Sequence, residues 1–261
     1  FGLLTTGLYV PIAAVFPYII AFYLILGLLE DIGYLPRLGI LVDRIMHIVG
    51  LHGMGFIPML LGLGCNVPGA IPWRTLETKK ERFIGATLMA ISIPCWAQIV
   101  MVIGLVGKYG AMGLSIVFGV LFLIWIIIGI MLKKFVKGES REISVEINPY
   151  RIPYPLAILK KLWMRLFNFI KEALPFVLLG VLLINILFSL KIIDFLGNIS
   201  APVITNLFGL PKETVGAFIV GFLRKDVAIG MLIPLKLSFK QLIVASVILT
   251  VYFPCVATFI V

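Results

Sequence analysis

The sequence lacks the charge and the motifs of a soluble enzyme. Charged residues make up 13% of its 261 residues and histidine occurs twice, whereas soluble domains carry about 25% charge. It contains no Gly-x-x-x-x-Gly-Lys-Ser/Thr phosphate loop, no His-Glu-x-x-His and no Gly-x-Ser-x-Gly. We therefore predict that the chain is not an enzyme and hydrolyses no nucleotide.

Cysteine is scarce, and its placement is unusual. The three cysteines form an odd number and none lies in a hydrophilic loop, so the sequence predicts no disulfide framework. Each lies beside a helix-breaking proline: Cys65 shortly before Pro68, and Cys95 and Cys255 directly after Pro94 and Pro254. A cysteine that only packs as a small apolar residue has no reason to follow prolines. This placement favours ligands that line a pathway.

Long apolar runs dominate the chain. It is 61% hydrophobic with a mean hydropathy of +1.15, and several runs reach the roughly 20 residues that cross a bilayer. They predict an all-α fold, a polytopic transmembrane helical bundle. The chain starts at Phe1 and stops inside an apolar run at Val261, so we expect it to be part of a longer protein. The clearest runs are Leu8–Leu29, Phe83–Val106, Ala111–Leu132, Leu174–Leu190 and Leu237–Val261.

The basic residues follow membrane topology. The apolar runs 83–106 and 111–132 form a hairpin, so the basic segments 74–82 and 133–171 lie on one face, which the positive-inside rule makes cytoplasmic. Residues 155–171 place apolar side chains on one helical face and lysines elsewhere, which is typical of an interfacial helix on anionic lipid. The net charge of +10 therefore indicates a membrane lipid partner and no nucleic acid.

An internal repeat recurs at an offset of about 160 residues, as in many transporters. Each copy is predicted to hold a full span, an amphipathic helix, a broken re-entrant segment and a second span with a Pro-Cys break. Pro17 would start outside and Pro175 inside, so the two copies would be inverted. The matched pairs are Phe16-Pro17-Tyr18 with Leu174-Pro175-Phe176, Gly50-Leu51 with Gly209-Leu210, Gly62 with Gly221, and Ile93-Pro94-Cys95 with Phe253-Pro254-Cys255.

The stretch Gly62-Leu-Gly-Cys65-Asn66-Val-Pro68 carries the main candidate site. Irregular backbone at membrane depth is tolerated only where it lines a cavity or is buried in protein. A broken helix there offers carbonyls, a thiolate and an amide oxygen to a cation, and thiolate suits Fe(II), Zn(II) or Cu(I). Cys95 and Cys255 would join Cys65 and Asn66 in a transient metal site. The alternative is that these residues only pack.

Charged residues near the breaks are candidates for gating or internal ion pairing. Arg224, Lys225 and Asp226 align with Cys65-Asn66-Val67 in the second copy, where ionisable groups are costly and usually functional. Glu30 and Asp31 end the first span and suit a structural or gating role. His47 and His52 flank the amphipathic helix, where interfacial packing is their expected role.

Several motifs resemble the membrane part of the ferrous iron transport protein B (FeoB) family. They follow the family's order and cover most of the chain. The context of Cys95, Ile-Pro-Cys-Trp-Ala-Gln98, departs from the family pattern. The matching elements are Leu29-Glu30-Asp31-Ile-Gly33-Tyr34, Asp43-Arg44, Gly50-Leu51-His52-Gly53, Gly62-x-Gly64-Cys65-Asn66-Val67-Pro68, Arg74-Thr75-Leu76-Glu77, Gly221-Phe-Leu-Arg224-Lys225-Asp226 and Pro254-Cys255-Val-Ala-Thr258.

The resemblance implies a ferrous iron permease of two inverted Gate repeats in the cytoplasmic membrane. Cys65, Cys95 and Cys255 would mark the path, and Fe²⁺ would be the transported substrate rather than a resident cofactor. The family's G domain is absent from this sequence, so a G domain upstream or on another chain, a small accessory protein and a second copy are candidate partners. The implied organisation is a first Gate repeat with its following helix (1–132), a cytoplasmic basic loop and interfacial helix (133–172), and a shortened second repeat (173–261).

Two other functions stay open at this point. A Gate-type transporter could carry an organic solute such as a nucleoside, although the predicted mid-membrane segments offer few polar side chains for one. A non-transporting scaffold could use the repeats only to build a bundle and the basic 133–171 segment to dock a partner. Breaks at matched positions in both copies argue against a scaffold.

Overall fold

The computed structural model describes residues 16–76, 78–136, 150, 153–189, 209–223, 225–235, 237–252 and 258. These residues are mostly helical and contain no strand, which confirms the all-α prediction. They fall into two compact units, one within Phe1–Met89 and Ile126–Phe176 and the other within Ala90–Trp125 and Val177–Ile260. Each unit is described on its own.

Within residues 16–135 and 213–251, consecutive helices are only a few residues apart. One-turn 3₁₀ segments follow α2, α4, α6 and α10. The helices are α1 (Phe16–Ile32), α2 (Tyr34–Ile48), α3 (Phe56–Gly64), α4 (Asn66–Ala70), α5 (Lys79–Ser92), α6 (Trp96–Val106), α7 (Gly110–Phe135), α8 (Pro155–Ser189), α9 (Glu213–Leu223), α10 (Lys225–Leu232) and α11 (Phe239–Val251).

In the first unit, α1 turns sharply into α2. Gly33 joins them with φ 82°, a left-handed conformation that glycine adopts without a Cβ clash, and the two helix axes differ by 88°. The inner face of α1, with Ile19 and Tyr23, packs against Leu162 and Leu166 of α8. The residues predicted to form the interfacial helix therefore contact the first apolar helix.

The end of α2 is fixed by a hydrogen-bond network around Asp43. The Gly53 N–H donates to Asp43 Oδ1 at 2.7 Å, and the His47 and His52 rings flank the same carboxylate at 3.3 and 3.8 Å. Lys133 Nζ donates to the His47 carbonyl at 2.7 Å. The two histidines thus take part in a network that joins the end of α2 to α7.

The helices α3, α4 and α5 pack through glycines. A Cβ on Gly62 would lie 2.9 Å from Met89, and one on Gly69 would lie 2.7 Å from the Gly62 backbone. The Trp73 ring occupies the space in front of Gly85 and is 2% exposed. Glycine at these positions lets the two short helices and the indole approach closely.

The core of the second unit lies between α6, α7, α9, α10 and α11. Its buried residues are apolar, for example Met101, Phe218 and Leu249. Gln98 is an exception: it is 2% exposed, its Oε1 accepts the Cys95 N–H at 2.8 Å, and its Nε2 donates to the Thr250 carbonyl at 3.2 Å. One amide side chain therefore caps α6 and ties it to α11.

Two parts of the chain, separated by the repeat offset of about 160 residues, contain the same kinds of helix in the same order. The series α3, break, α4, 3₁₀ turn, α5 corresponds to α9, break, α10, 3₁₀ turn, α11. Gly221 packs against Ala228 and Leu249 much as Gly62 packs against Gly69 and Met89. Gly50 and Gly209 both have positive φ, at 81° and 65°.

One helix boundary differs from the sequence prediction, and another agrees with it. The interfacial helix (155–171) and the span (174–190) are one helix, α8, because strong helix formers join them and Pro175 removes only one backbone donor. The run 83–106 is divided at Ile93-Pro94-Cys95, as its Pro-Cys break predicted.

Candidate spans in the described part of the chain are fewer than the sequence predicted. The stretch Lys79–Phe135 is long and apolar enough to cross a membrane, and the bent pair Ile19–Ile32 with Tyr34–Ile48 could form a second span. The predicted five spans remain predictions, as do the domain boundaries.

We predict that Gly85→Ala destabilises the first unit. The new methyl group would fall within the Trp73 ring, which is buried and cannot move away. Overpacking of this kind costs about 1–3 kcal/mol. Unfolding in detergent, followed by circular dichroism, measures the change. Gly119→Ala is the matched control, since nothing lies within 4 Å of its Cβ position; equal stability of the two variants would contradict the packing described.

We predict that Gln98→Leu costs more stability than Gln241→Leu. Gln241 makes the same two kinds of bond, to the Ser238 N–H at 3.0 Å and the Gly209 carbonyl at 2.7 Å, but these are exposed. Losing buried hydrogen bonds leaves unsatisfied groups and costs about 1–3 kcal/mol, whereas exposed groups regain water. The same unfolding measurement compares the variants, and equal losses would contradict the structural role of Gln98.

Candidate functional site

The first candidate site lies at the break between α3 and α4. Cys65 has extended backbone, with φ −152° and ψ 130°, between two helical residues. Its N–H donates to the Leu61 carbonyl, and its own carbonyl accepts the Gly69 N–H, both at 3.2 Å. The break therefore keeps these backbone groups hydrogen bonded while it holds Cys65 half-buried between the two helices.

Asn66 is buried beside Cys65, with 4% of its surface exposed. Its side-chain oxygen Oδ1 has no hydrogen-bond partner within the described part of the chain. A buried acceptor left unsatisfied costs about 1–3 kcal/mol, and such a group in a folded protein calls for an explanation such as an ion or a water. This oxygen is the clearest sign of ligand binding at the break.

Met89 on α5 lies at the same place, and sequence reasoning missed it. Its Sδ lies 3.0 Å, and Asn66 Oδ1 3.4 Å, from the position that a Cβ on Gly62 would take. The Trp73 indole N–H donates to the same sulfur at 3.3 Å. The sequence contained one indication of this difference. The repeat aligns Met89 with Leu249, so a sulfur-containing side chain stands where the second copy has an apolar one.

Cys95 is the N-cap of α6 in the second compact unit. Its side chain accepts the Gln98 backbone N–H, while the Gln98 side chain accepts the Cys95 N–H. The sulfur is half-buried at the start of the helix.

The proposed cysteine set is not assembled by the described residues. Cys65 and Cys95 belong to different units, and Cys255 lies outside the described ranges. Within those ranges no three His, Cys, Asp or Glu side chains form a metal-binding group. A site built from all three thiols therefore remains a prediction.

The charged candidates divide into two sets. Glu30 pairs with Arg165 at 2.7 Å and with Lys161 at 4.0 Å, and Asp31 pairs with Lys161, so ion pairs bind the end of α1 to α8. Arg224 lies outside the described residues, at the position between α9 and α10 that aligns with Cys65. Lys225 and Asp226 occupy the first turn of α10.

Two family models match the chain. The Gate family, described as nucleoside recognition, matches residues 12–109 and 170–261. The family described as ferrous iron transport protein B C terminus matches residues 114–165. The Gate matches cover more than half of the chain, in two stretches that correspond to the two copies of the sequence repeat.

The chain is similar to curated proteins named Fe(2+) transporter FeoB. It is 28% identical to that of Staphylococcus aureus (strain COL), over 98% of this chain and 43% of the relative. It is 30% identical to that of Escherichia coli (strain K12), over 83% of this chain and 30% of the relative. The chain thus spans less than half the length of these relatives.

No solved structure matches the chain significantly. The family assignment therefore depends on the two family models and on the curated relatives. The chain belongs to the Gate family, and it corresponds to the membrane region of the ferrous iron transport protein B family.

Proposed function

We propose that the chain forms the membrane pathway of a ferrous iron transporter. The observation that carries this proposal is the helix break at Cys65, where the buried Asn66 amide oxygen has no partner among the described residues. The relatives named Fe(2+) transporter FeoB support iron as the cargo. Fe²⁺ is then a substrate that passes through, and the chain itself catalyses no reaction.

The donor set at the break suits a cation that must leave again. The thiol favours borderline and soft metals over Mg²⁺ or Ca²⁺, which prefer oxygen ligands, and the amide oxygen adds one neutral donor. An incomplete ligand set binds weakly, and weak binding at several sites favours conduction. Cys95 and Cys255 would provide further steps along the same pathway, each beside its own proline.

The proposed topology is that of an alternating-access transporter in the cytoplasmic membrane. Two inverted copies, each with a re-entrant hairpin, would place the broken helices near the middle of the bilayer. The two matched Gate stretches and the shared order of elements support this arrangement. A G domain upstream or on another chain, a small accessory protein and a second copy remain the proposed partners.

The charged residues would control access to the pathway. Glu30 and Asp31 would hold the basic helix α8 against the end of α1 on the cytoplasmic side. Arg224, Lys225 and Asp226 would form a charged gate at the second break. Moving an element past these pairs changes which face is open, as in hinge and rocking transitions.

A nucleoside or similar solute is the weaker alternative. Its support is the description of the Gate family as nucleoside recognition. A solute site needs several polar groups that converge, whereas the first break presents a thiol, one amide and a thioether. The experiments below include a nucleoside so that the two cargos are compared directly.

We predict that Cys65→Ser lowers Fe²⁺ uptake by reconstituted protein roughly tenfold or more. Serine has a similar size but is a harder ligand, so it removes the soft donor while the break keeps its backbone hydrogen bonds. Anaerobic proteoliposomes with an imposed Fe²⁺ gradient measure the uptake. Gly119→Ala, on α7 in the second compact unit, is the control.

The outcomes separate the candidate functions. Uptake of Fe²⁺ by the unmodified chain, reduced in Cys65→Ser, supports the proposal. Uptake of a nucleoside without Fe²⁺ would establish the alternative. Transport of neither cargo would favour a scaffold, and unchanged Fe²⁺ uptake in a triple variant of Cys65, Cys95 and Cys255 would remove the thiols from the pathway.

We predict that Arg165→Glu slows uptake and that Glu30→Arg in the same chain restores it. The single change sets two like charges opposite each other at the α1–α8 contact, and the double change re-forms the pair in reverse. An exposed pair of this kind contributes only about 0–1 kcal/mol to stability. A change in uptake without a change in unfolding would therefore indicate gating, and the absence of rescue would refute it.

A further inference from the structure

The sulfur of Met89 and the unpartnered oxygen of Asn66 both lie close to Gly62 at the helix break. Both atoms lie within 3.4 Å of the position that a Cβ on Gly62 would occupy. Met89 is 1% exposed and Asn66 is 4% exposed, so water reaches neither side chain freely. We propose that Met89 Sδ and Asn66 Oδ1 form a neutral ligand pair for a soft or borderline transition-metal cation. This inference rests on the proposed function and adds a ligand to its pathway.

The surroundings hold the sulfur in place close to the helix break. The Trp73 indole N–H donates to Sδ at 3.3 Å, which occupies one of the two lone pairs and orients the thioether. Gly62 and Gly69 carry no side chain, so the sulfur approaches the helix break closely. A methionine is normally a flexible filler of gaps, whereas this one is fixed by a hydrogen bond.

The second copy of the repeat provides an internal comparison. Its equivalent packing uses Gly221, Ala228 and Leu249, and Leu249 lies against the glycine just as Met89 does. An apolar leucine therefore suffices for that helix contact. The sulfur of Met89 is not required for packing of this type; at the first break it accepts the Trp73 N–H and lies near the unpartnered Asn66 oxygen.

The chemistry of the pair selects among cations. A thioether and an amide oxygen carry no charge, so they compensate poorly for the dehydration of Mg²⁺ or Ca²⁺. Thioether sulfur binds soft cations such as Cu(I) best and borderline cations such as Fe(II) or Co(II) less tightly. The pair would thus bind soft or borderline cations in preference to Mg²⁺ or Ca²⁺ beside the Cys65 thiol, and weakly enough for the ion to leave.

The test compares Met89→Leu with Met101→Leu in the full chain in detergent. Leucine is nearly isosteric with methionine and stands naturally at the equivalent position 249. Met101 is fully buried in the core of the other unit and is the matched control. Anaerobic equilibrium dialysis with Fe²⁺, and separately with Co²⁺, measures affinity. We expect roughly tenfold weaker binding in Met89→Leu and less than a twofold change in Met101→Leu.

A double variant tests whether both atoms serve one ion. Asn66→Ala alone should weaken binding by a similar factor. In the pair Asn66→Ala with Met89→Leu, the losses should be less than multiplicative, because removing either ligand already dismantles the site. Fully multiplicative losses would mean that the two side chains act independently and would overturn the shared site.

A second measurement needs no substitution and so does not depend on folding of the variants. Selenomethionine replaces methionine in the expressed chain, and X-ray absorption at the selenium edge then detects iron bonded to selenium. We expect an iron neighbour of selenium in the loaded protein and none in the same protein prepared without iron. The absence of any iron–selenium contact would overturn the proposal.

These outcomes separate this inference from the proposed function. Fe²⁺ binding that is unchanged in Met89→Leu would remove Met89 from the pathway and leave iron transport standing. Failure of the unmodified chain to bind Fe²⁺ or Co²⁺ at all would overturn both. Equal weakening in Met89→Leu and Met101→Leu would show a general packing effect and would also overturn the role of the sulfur.

Discussion

The satisfaction of backbone hydrogen bonds at a broken helix is the constraint on which the first candidate site depends. In hydrocarbon an unpaired N–H or carbonyl costs several kcal/mol, so a break must be bridged. At Cys65 the bridge consists of two hydrogen bonds, one back to Leu61 and one forward to Gly69. The residues around the break follow from this requirement. Gly62 and Gly69 lie against each other because a larger side chain would separate α3 from α4, and Gly64 leaves room for the Phe22 ring of α1.

Once the backbone is satisfied, the side chains are free to serve other purposes, and the two buried amides illustrate the difference. Gln98 uses its oxygen and its nitrogen to cap one helix and hold another, so its burial is explained by structure. Asn66 is buried to a similar degree, yet its oxygen has no partner in the described part of the chain. A polar atom kept at such a cost is more informative about function than the many polar atoms that are paired.

The two copies of the repeat share their packing but differ in chemistry. The glycine contact at Gly62 recurs at Gly221, and the left-handed glycine at Gly50 recurs at Gly209. At the breaks, however, Cys65 and Asn66 align with Arg224 and Lys225, and Met89 aligns with Leu249. The shared residues are those that the fold requires. The differing residues place a thiol and an amide at the first break, where the sequence of the second copy has charged residues.

The sequence by itself determined the all-α class, the helix breaks at Cys65 and at Pro94-Cys95, and the family. Hydrophobic runs, prolines and glycines act locally, so their effects can be read along the chain. It predicted two helices where α8 is continuous, because a proline signals a boundary that neighbouring helix formers can override. Tertiary structure alone decided that Met89 lies beside Asn66, that Trp73 orients its sulfur, and that Gln98 joins α6 to α11. Those contacts connect residues far apart in the chain, and no local pattern marks which buried side chains will meet.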